Sequence, residues 1–319
     1  MASGGGARRA GVRRRPHPLV QWSTVRIAVI ADVHANVPAL EAVLEDVATL
    51  GVDRLVVNGD SVNRGPGNAE AMRLLQGVAQ EGTLGNHDDL MRMWAEKDPS
   101  LPREWFEDDF WASAGLAATE LQEAGQIPVI RRLPLTVSVE VGGAPSVLVA
   151  HGSPRHYREG YGRFLTDEAI SEITQMHPAD VLVGSHTHRP LLRRWGHYLV
   201  LNTGAVGSPF NGDPRAQYLV LTLEEGRWQP QFRRVAYDRE AALRAFVDSG
   251  YLELGGLSAR IFFEELRNAR SYLVPFLMWC EEQGRAHEEA AWQAFRRQFE
   301  PRFRAPAEVR SGVEATAEA

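Results

Sequence analysis

Five short polar clusters in the sequence contain side chains that could bind metal ions or transfer protons. Carboxylate, imidazole and amide groups of this kind are ligands for divalent ions such as Mn, Fe, Co, Zn, Ni and Mg. The single cysteine, Cys280, excludes an internal disulfide and any multi-thiolate zinc or iron–sulfur site. A metal would therefore be held by nitrogen and oxygen. The clusters are Asp32-Val33-His34, Gly59-Asp60-Ser61-Val62-Asn63-Arg64-Gly65-Pro66, Gly85-Asn86-His87-Asp88, His151-Gly152-Ser153 and Gly184-Ser185-His186-Thr187-His188.

The spacing within these clusters suits a pair of ions. In Asp32-x-His34 and His186-x-His188 the two side chains would point apart on extended backbone unless a turn intervenes. Two ions about 3.5–4 Å apart could use such pairs, with one side chain directed to each ion or both directed to one. Asp60 could bridge both ions because a carboxylate has two oxygens.

Each cluster follows an apolar run that predicts a buried strand. The first runs are residues 26–31 and 55–57, separated by residues 37–50 with apolar positions at helical spacing. This βαβαβ order predicts a mostly parallel sheet with helices outside it. Because open α/β sheets bind ligands at the carboxyl ends of their strands, we expect the clusters to meet there. Each cluster alone could be an ordinary turn, but five in this context favour a metal site.

The remaining pattern divides the chain into a main domain and decorations. Residues 25–237 are expected to form the main domain, with residues 91–127, rich in Trp, Phe and acids, as a helical insertion. Residues 238–304 show helical spacing and predict a helical extension that packs its own apolar stripe, which is favoured over a module that binds a partner or covers the site. Further strands are predicted near residues 82–84, 135–141, 146–150, 181–183, 198–201, 218–223 and 228–235, and a further helix over residues 166–176.

Charge and the two chain ends limit the classes of partner. The 319 residues include 35 Lys+Arg and 41 Asp+Glu, a net charge of -6, which argues against a nucleic-acid duplex or an anionic membrane as partner. No apolar run approaches the roughly 20 residues of a membrane span. Residues 1–24, with five arginines, and the Ala/Glu-rich residues 305–319 are expected to be disordered. We expect a cytoplasmic protein, and a homo-oligomer is left open.

The ordered motifs D-x-H, G-D-x-x-x-R-G-P, G-N-H-D, H-G-S and G-x-H-T-H resemble those of the calcineurin-like metallophosphoesterase superfamily, over about residues 26–235. The segment Asn202-Thr203-Gly204-Ala205-Val206-Gly207-Ser208-Pro209 is similar to the N-x-G-S-V-G-x-P of its small bacterial phosphodiesterase branch. The resemblance implies an α/β fold, a four-layer α-β-β-α sandwich of two mixed sheets, here followed by the helical extension. It also implies a dinuclear metal centre at the strand ends.

The resemblance further implies roles for individual residues. His87 matches the family's candidate general acid, and Arg64 matches an arginine that contacts the substrate phosphate. Asn63 is expected beside the substrate and stands where related branches often carry an Asp that orients the His87 equivalent. Asp88 is interpreted as a helix cap. The implied ligands are Asp32, His34, Asp60 and His188 for one ion and Asn86, His151 and His186, with Asp60 shared, for the other.

The sequence thus predicts a hydrolase that cleaves phosphoesters with two divalent ions, Mn being favoured over Fe, Zn, Co, Ni or Mg. Its substrate would be a small phosphoester or nucleotide. Arg64-Gly65-Pro66 also suits a dinucleoside-polyphosphate hydrolase or a phosphoprotein phosphatase. A non-catalytic scaffold with this fold is less favoured, because such a scaffold should have lost ligands or the acid. A P-loop nucleotide switch is excluded, because no G-x-x-x-x-G-K-[ST] run is present.

Overall fold

The computed structural model describes residues 24–303. The predictions of disorder for residues 1–24 and 305–319 therefore fall outside the described residues, except at residue 24. The first half of this range contains β1 (Val25–Ile30), α1 (Val37–Leu50), β2 (Arg54–Asn58), α2 (Asn68–Val78), β3 (Glu81–Thr83), α3 (Asn86–Ala95), α4 (Ala112–Glu123), α5 (Ile127–Ile130), β4 (Thr136–Val139) and β5 (Val147–Ala150). The second half contains α6 (Asp167–Met176), β6 (Val181–Gly184), β7 (Leu191–Trp195), β8 (Tyr198–Asn202), β9 (Ala216–Glu224), β10 (Arg227–Val235), α7 (Arg239–Asp248), α8 (Tyr251–Leu254), α9 (Gly256–Asn268), α10 (Leu273–Gln283) and α11 (Glu289–Phe303).

The strands form two five-stranded mixed sheets. The first has the order β10-β9-β1-β2-β3 and the second has the order β4-β5-β6-β8-β7. In the first sheet β1, β2 and β3 are parallel, and in the second β5, β6 and β8 are parallel. The outer pairs, β9 with β10, β4 with β5 and β7 with β8, are antiparallel. The carboxyl ends of the parallel strands therefore lie together within each sheet.

Side-chain alternation along β1 shows how the layers pack. Ile27 and Val29 belong to an apolar cluster that also contains Val149 and Val183 of the second sheet. Ala28 and Ile30, on the opposite face of the strand, pack in the cluster that contains residues of α1 and α2. Such two-sided burial requires a near-continuous apolar strand. A third cluster joins the outer face of the second sheet to α6, which confirms the predicted four-layer α-β-β-α sandwich of two mixed sheets.

One strand was not expected from the sequence. Strand β7 pairs antiparallel with β8 at the edge of the second sheet and carries the partly exposed Arg193 and the exposed Arg194. Arg193 donates to the backbone oxygen of Leu165 and to the carboxylate of Asp167. An edge strand with charged side chains lacks the continuous apolar run of its buried neighbours, so its signal in the sequence is weak.

The C-terminal helices α7–α11, called here the helical extension, pack on the inserted segment that precedes α4. Phe110 of that segment is 2% exposed and belongs to the same core as Phe276 and Trp292 of the extension. The hydroxyls of Ser113 in α4 and Ser258 in α9 lie 2.6 Å apart. The insertion and the extension thus form a continuous helical layer beside the sheets. Among residues 24–303, none of the helices has both the length and the apolar character needed to span a membrane.

Candidate metal centre and active site

The structure brings six of the seven predicted ligands together at the carboxyl ends of β1, β2, β5 and β6, and it places the seventh, Asn86, at the start of α3. The candidate donor atoms of four of them lie within 4.8 Å of one another, and a second group of three meets the same limit. Asp60 belongs to both groups. The first group is Asp32, His34, Asp60 and His188, and the second is Asp60, His151 and His186.

The backbone of the site loops explains how residues two apart direct their side chains to one place. Asp32 and His34 have φ of 53° and 49°, and His186 and His188 have φ of 60° and 57°. These left-handed conformations supply the turn that extended backbone lacks. Each costs free energy for a non-glycine residue, commonly about 1–3 kcal/mol in strained sites, and persists because the surrounding hydrogen bonds determine it. Backbone strain therefore coincides with the residues predicted to bind metal.

Backbone carbonyls orient three of the imidazoles. The Nδ1 atom of His151 lies 2.8 Å from the oxygen of Asn58, that of His34 lies 3.3 Å from the oxygen of Val62, and that of His188 bonds the oxygen of Ser208. Because a carbonyl oxygen can only accept, each Nδ1 carries the proton. Each Nε2 is thereby directed into the cluster, the arrangement that metal-binding histidines use.

The loop after β8 supplies one of these carbonyls, and a glycine allows it to do so. A Cβ placed on Gly207 would lie 1.8 Å from the oxygen of Val33, so no larger residue fits there without a shift of backbone. The N–H of Gly207 donates to the oxygen of Asp32 at 2.9 Å, and its oxygen accepts from the Asn36 amide. The motif at residues 202–209 thus positions the His188 ring.

The spacing of the donor atoms fits divalent cations. The Nε2 atoms of His34 and His188 lie 3.2 Å apart, and burial is the main reason that the pKa of both rings is well below the ordinary value. Two neutral rings protonated on Nδ1 face each other with lone pairs, which a shared cation would stabilise. Ligand bonds of about 2.0–2.2 Å place neighbouring donor atoms roughly 3–3.6 Å apart. The Nε2 atom of His188 lies 3.5 Å from Oδ1 of Asp32, within that range.

The buried charge at the site also favours cation binding. Asp32 and Asp60 are 0% exposed, and neither oxygen of Asp32 has a hydrogen-bond partner among residues 24–303. Burial raises the pKa of Asp32 well above its ordinary value. Although burial disfavours the charged ring of His151, Asp60 and Asp32 raise its pKa to about 10, so a proton there offsets part of the negative charge. A cation would do the same without protonating a ligand.

Helix α3 begins at the site and is held there by Asp88. The side chain of Asp88 accepts hydrogen bonds from the backbone N–H of Asp60 at 2.8 Å, of Ser61 at 2.9 Å and of Gly85 at 3.1 Å. The predicted capping role is therefore present, and the same carboxylate also fixes the loop that carries Asp60. A Cβ on Gly85 would lie 2.2 Å from Oδ1 of Asp60. The amide oxygen of Asn86 is buried and has no hydrogen-bond partner within the described range.

His87 and Asn63 form a hydrogen-bonded pair beside the cluster. The N–H of His87 donates to Oδ1 of Asp60 at 2.7 Å. Asn63 accepts from the Arg64 N–H through Oδ1 at 2.7 Å, which leaves its Nδ2 3.0 Å from Nδ1 of His87. An amide nitrogen only donates, so the neutral ring carries its proton on Nε2. Burial, aided by the charge of Arg64, lowers the pKa of His87 to about 3 despite the opposing effect of Asp60.

Arg64 lies at the site but is not free. Its guanidinium forms a buried ion pair with Glu265 of α9, and it lies 5.2 Å from the ring centre of Phe210 and 4.9 Å from that of Phe262. Phe210 also stacks on His188, with ring centres 4.2 Å apart. Glu265 was not identified from the sequence, because one acid on an amphipathic helix is typical of a solvated face. No signal in the sequence links it to Arg64, 201 residues away.

The comparisons with known proteins agree with this geometry. The family described as calcineurin-like phosphoesterase matches residues 25–190. The uncharacterized protein MJ0912 of Methanocaldococcus jannaschii is 26% identical over 69% of this chain and 91% of its own length. Phosphodiesterase YfcE of Escherichia coli K12 is 27% identical over 62% of this chain and 87% of its own length.

A solved structure agrees with the same assignment. The crystal structure of a metallophosphoesterase from Sphaerobacter thermophilus superposes with a TM-score of 0.59 and 26% identity, covering 77% of this chain and 99% of that one. The family match spans more than half of the chain and includes all seven predicted metal ligands. The chain belongs to the calcineurin-like phosphoesterase family.

Proposed function

We propose that this protein hydrolyses small phosphoesters or nucleotides with two divalent cations, Mn being favoured, at the cluster that shares Asp60. The observation that carries the proposal is that Asp60 lies in both groups of potential ligands. Its Oδ2 atom lies 3.8 Å from Nε2 of His34 and 3.2 Å from Nε2 of His151. One carboxylate thus faces both halves of the cluster, as a bridging ligand must.

The residues of the chain have distinct roles in the proposed reaction. Divalent cations bound at such a site would lower the pKa of a bound water toward about 7 and offset negative charge on phosphate oxygens. His34, His188 and Asp32 would hold one cation and His151, His186 and Asn86 the other, with Asp60 shared. The carbonyl contacts behind His34, His151 and His188 keep those rings in place, so little reorganisation is needed during turnover.

His87 would act on the leaving group. Its Nε2–H is available because Asn63 donates to Nδ1. A donated hydrogen bond or proton stabilises the oxygen that departs from phosphorus, an effect commonly worth 10²–10⁴-fold when the leaving group is poor. His87 is partly exposed, whereas Asp60 behind it is fully buried, so substrate can reach the ring.

A screen of the metal-loaded protein tests the proposal. The apoprotein, reconstituted with Mn²⁺ and separately with Zn²⁺ or Mg²⁺, would be assayed on bis-p-nitrophenyl phosphate, p-nitrophenyl phosphate, cyclic nucleotides and diadenosine tetraphosphate. We expect hydrolysis that chelation abolishes and Mn²⁺ restores. Asp60→Asn should be inactive, and Asp46→Asn, on the far side of the first sheet, should retain activity. Absence of hydrolysis with every metal would favour a non-catalytic scaffold instead.

The substrate ranking also separates the alternatives. A dinucleoside-polyphosphate hydrolase would cleave diadenosine tetraphosphate best, whereas a phosphoprotein phosphatase would prefer monoesters. The structure offers no feature that favours either, since Arg64, on which both depend, is paired with Glu265.

A further inference from the structure

The ion pair between Arg64 and Glu265 connects the helical extension to the site. One guanidinium nitrogen of Arg64 donates to Oε2 of Glu265. The other carboxylate oxygen accepts from the backbone N–H groups of Tyr272 at 2.6 Å and Leu273 at 2.8 Å, at the start of α10. Glu265 is therefore fixed from behind by the backbone, and it fixes Arg64 in turn.

The surroundings keep this pair in a single arrangement. Glu265 is 1% exposed and Arg64 is 7% exposed, and the guanidinium contacts the rings of Phe210 and Phe262. Separating the two charges would leave a buried carboxylate without its partner, which is strongly unfavourable. A substrate anion is therefore not expected to displace Glu265.

Arg64 nevertheless lies beside a predicted metal ligand. Its Nε atom is buried and has no hydrogen-bond partner among the described residues. Arg64 and His34 line the same small cavity, of about 10 Å³, which Phe262 and Leu266 of α9 also line. Arg64 therefore lies close enough to the predicted metal ligands for its charge to act on a phosphate bound there, unless Glu265 offsets that charge.

We propose that Glu265 determines substrate specificity: by neutralising Arg64 it favours monoanionic phosphodiesters over dianionic phosphomonoesters. This inference rests on the proposed phosphoesterase function and names its substrate class. A free arginine beside the site would attract a second negative charge on the phosphate, whereas a neutral ion pair attracts it much less. Glu265 lies outside residues 25–190, so this property belongs to the helical extension and not to the segment that matches the family.

The size of the effect follows from Coulomb's law. For unit charges about 10 Å apart at an effective dielectric constant of about 20, removing the neutralising charge changes the affinity for one additional phosphate charge by about tenfold. The direction of the change in affinity is also fixed: loss of Glu265 strengthens binding of the dianion, and loss of Arg64 weakens it.

A binding experiment tests this inference without relying on turnover. Calorimetry on the Mn²⁺-loaded protein at about pH 8.5 would compare inorganic phosphate, mainly a dianion, with dimethyl phosphate, a monoanion. The variants are Glu265→Gln, Arg64→Gln and the double variant. We expect the affinity ratio of phosphate to dimethyl phosphate to rise about tenfold in Glu265→Gln, to fall in Arg64→Gln, and to return within about threefold of wild type in the double variant.

The possible results separate this inference from the proposed function. A ratio that Glu265→Gln leaves unchanged, or a shift that persists when Arg64 is also replaced, overturns the specificity role and indicates a structural role only. If Glu265→Gln does not fold, the opposite shift in Arg64→Gln and its reversal in the double variant decide the question. Wild-type protein that binds both anions with the expected ratios but hydrolyses no ester refutes the proposed function alone. Failure to bind either anion overturns the specificity role.

Discussion

Replacing Asn63 with aspartate should improve the proton-donating capacity of His87. In the structure the Asn63 amide donates to Nδ1 of His87 at 3.0 Å, which disfavours a proton on that nitrogen. In Asn63→Asp the new carboxylate would accept from Nδ1–H of the His87 imidazolium, whose Nε2–H is then the proton given to the leaving group, and it would still accept from the Arg64 N–H. The backbone should tolerate the change, because Asn63 has a φ of 66° and both Asn and Asp are found in this region.

The magnitude follows from the environment of His87. Burial, as the main cause, lowers its pKa to about 3, so few rings are protonated at pH 7. An adjacent carboxylate commonly shifts such a pKa upward by about 1–3 units, which raises the protonated fraction at least about tenfold. We therefore expect turnover of phosphodiesters with poor alkoxide leaving groups to rise about tenfold. Esters of p-nitrophenol, which needs little protonation to leave, should change by less than about threefold.

Steady-state kinetics of the Mn²⁺-loaded enzyme on a series of leaving groups checks this expectation. His87→Ala is the matched control: it should keep its metal and lose most activity on the poorest leaving groups. Equal effects of Asn63→Asp on good and poor leaving groups would refute the role assigned to His87. An increase in turnover caused by Asn63→Asp that is equally large in the His87→Ala variant would also refute that role.

Three further variants test other parts of the structure. Asp60→Asn should reduce bound metal from two ions per chain to one or fewer, measured by elemental analysis. It should also reduce kcat at least about 100-fold, since even residues that hydrogen-bond to a metal ligand contribute about 10–100-fold. Full metal content would contradict the bridging role. The hydrogen bond from Arg233 lowers the pKa of Asp46, so this carboxylate stabilises the fold above its unfolded pKa of about 3.9 and ceases to do so as the pH falls through its lower folded value. Chemical unfolding of Asp46→Asn from pH 6 to about 2 should accordingly show a weaker loss of stability in acid than wild type, and parallel curves would argue against the pair. Phe276 is 0% exposed and packs among aromatic rings, so Phe276→Ala should lower the free energy of unfolding by about 3–5 kcal/mol, measured by denaturant unfolding. The metal content should stay unchanged, because residues 32–188 supply the ligands.

Much of the sheet architecture was predictable because burial on both faces leaves a clear pattern. β1, β2, β5 and β6 each contain an apolar run of at least three residues, and each run is followed by polar residues where the strand leaves the core. Parallel strands then place Asp32 and Asp60 at one end of the first sheet, and the packing of the two sheets brings His151, which follows β5 of the second sheet, beside them. The edge strand β7 escaped prediction because its side chains mix apolar and charged types.

The chemical detail of the site was less accessible from the sequence. Spacing alone left the direction of Asp32 and His34 open, because the turn that brings them together depends on left-handed backbone at both positions. The capping role of Asp88 was visible locally, but its hydrogen bonds to the loop of Asp60 depend on tertiary packing. Glu265 shows the limit most clearly, since its role depends on how an amphipathic helix docks 201 residues after Arg64.

Anomalous diffraction from crystals of the Mn²⁺-loaded protein tests the central claim most directly. The account predicts two manganese peaks about 3.5–4 Å apart with the Asp60 carboxylate between them. His34 and His188 should bind one ion, and His151 and His186 the other. A single peak, or two peaks that do not share Asp60, would contradict it.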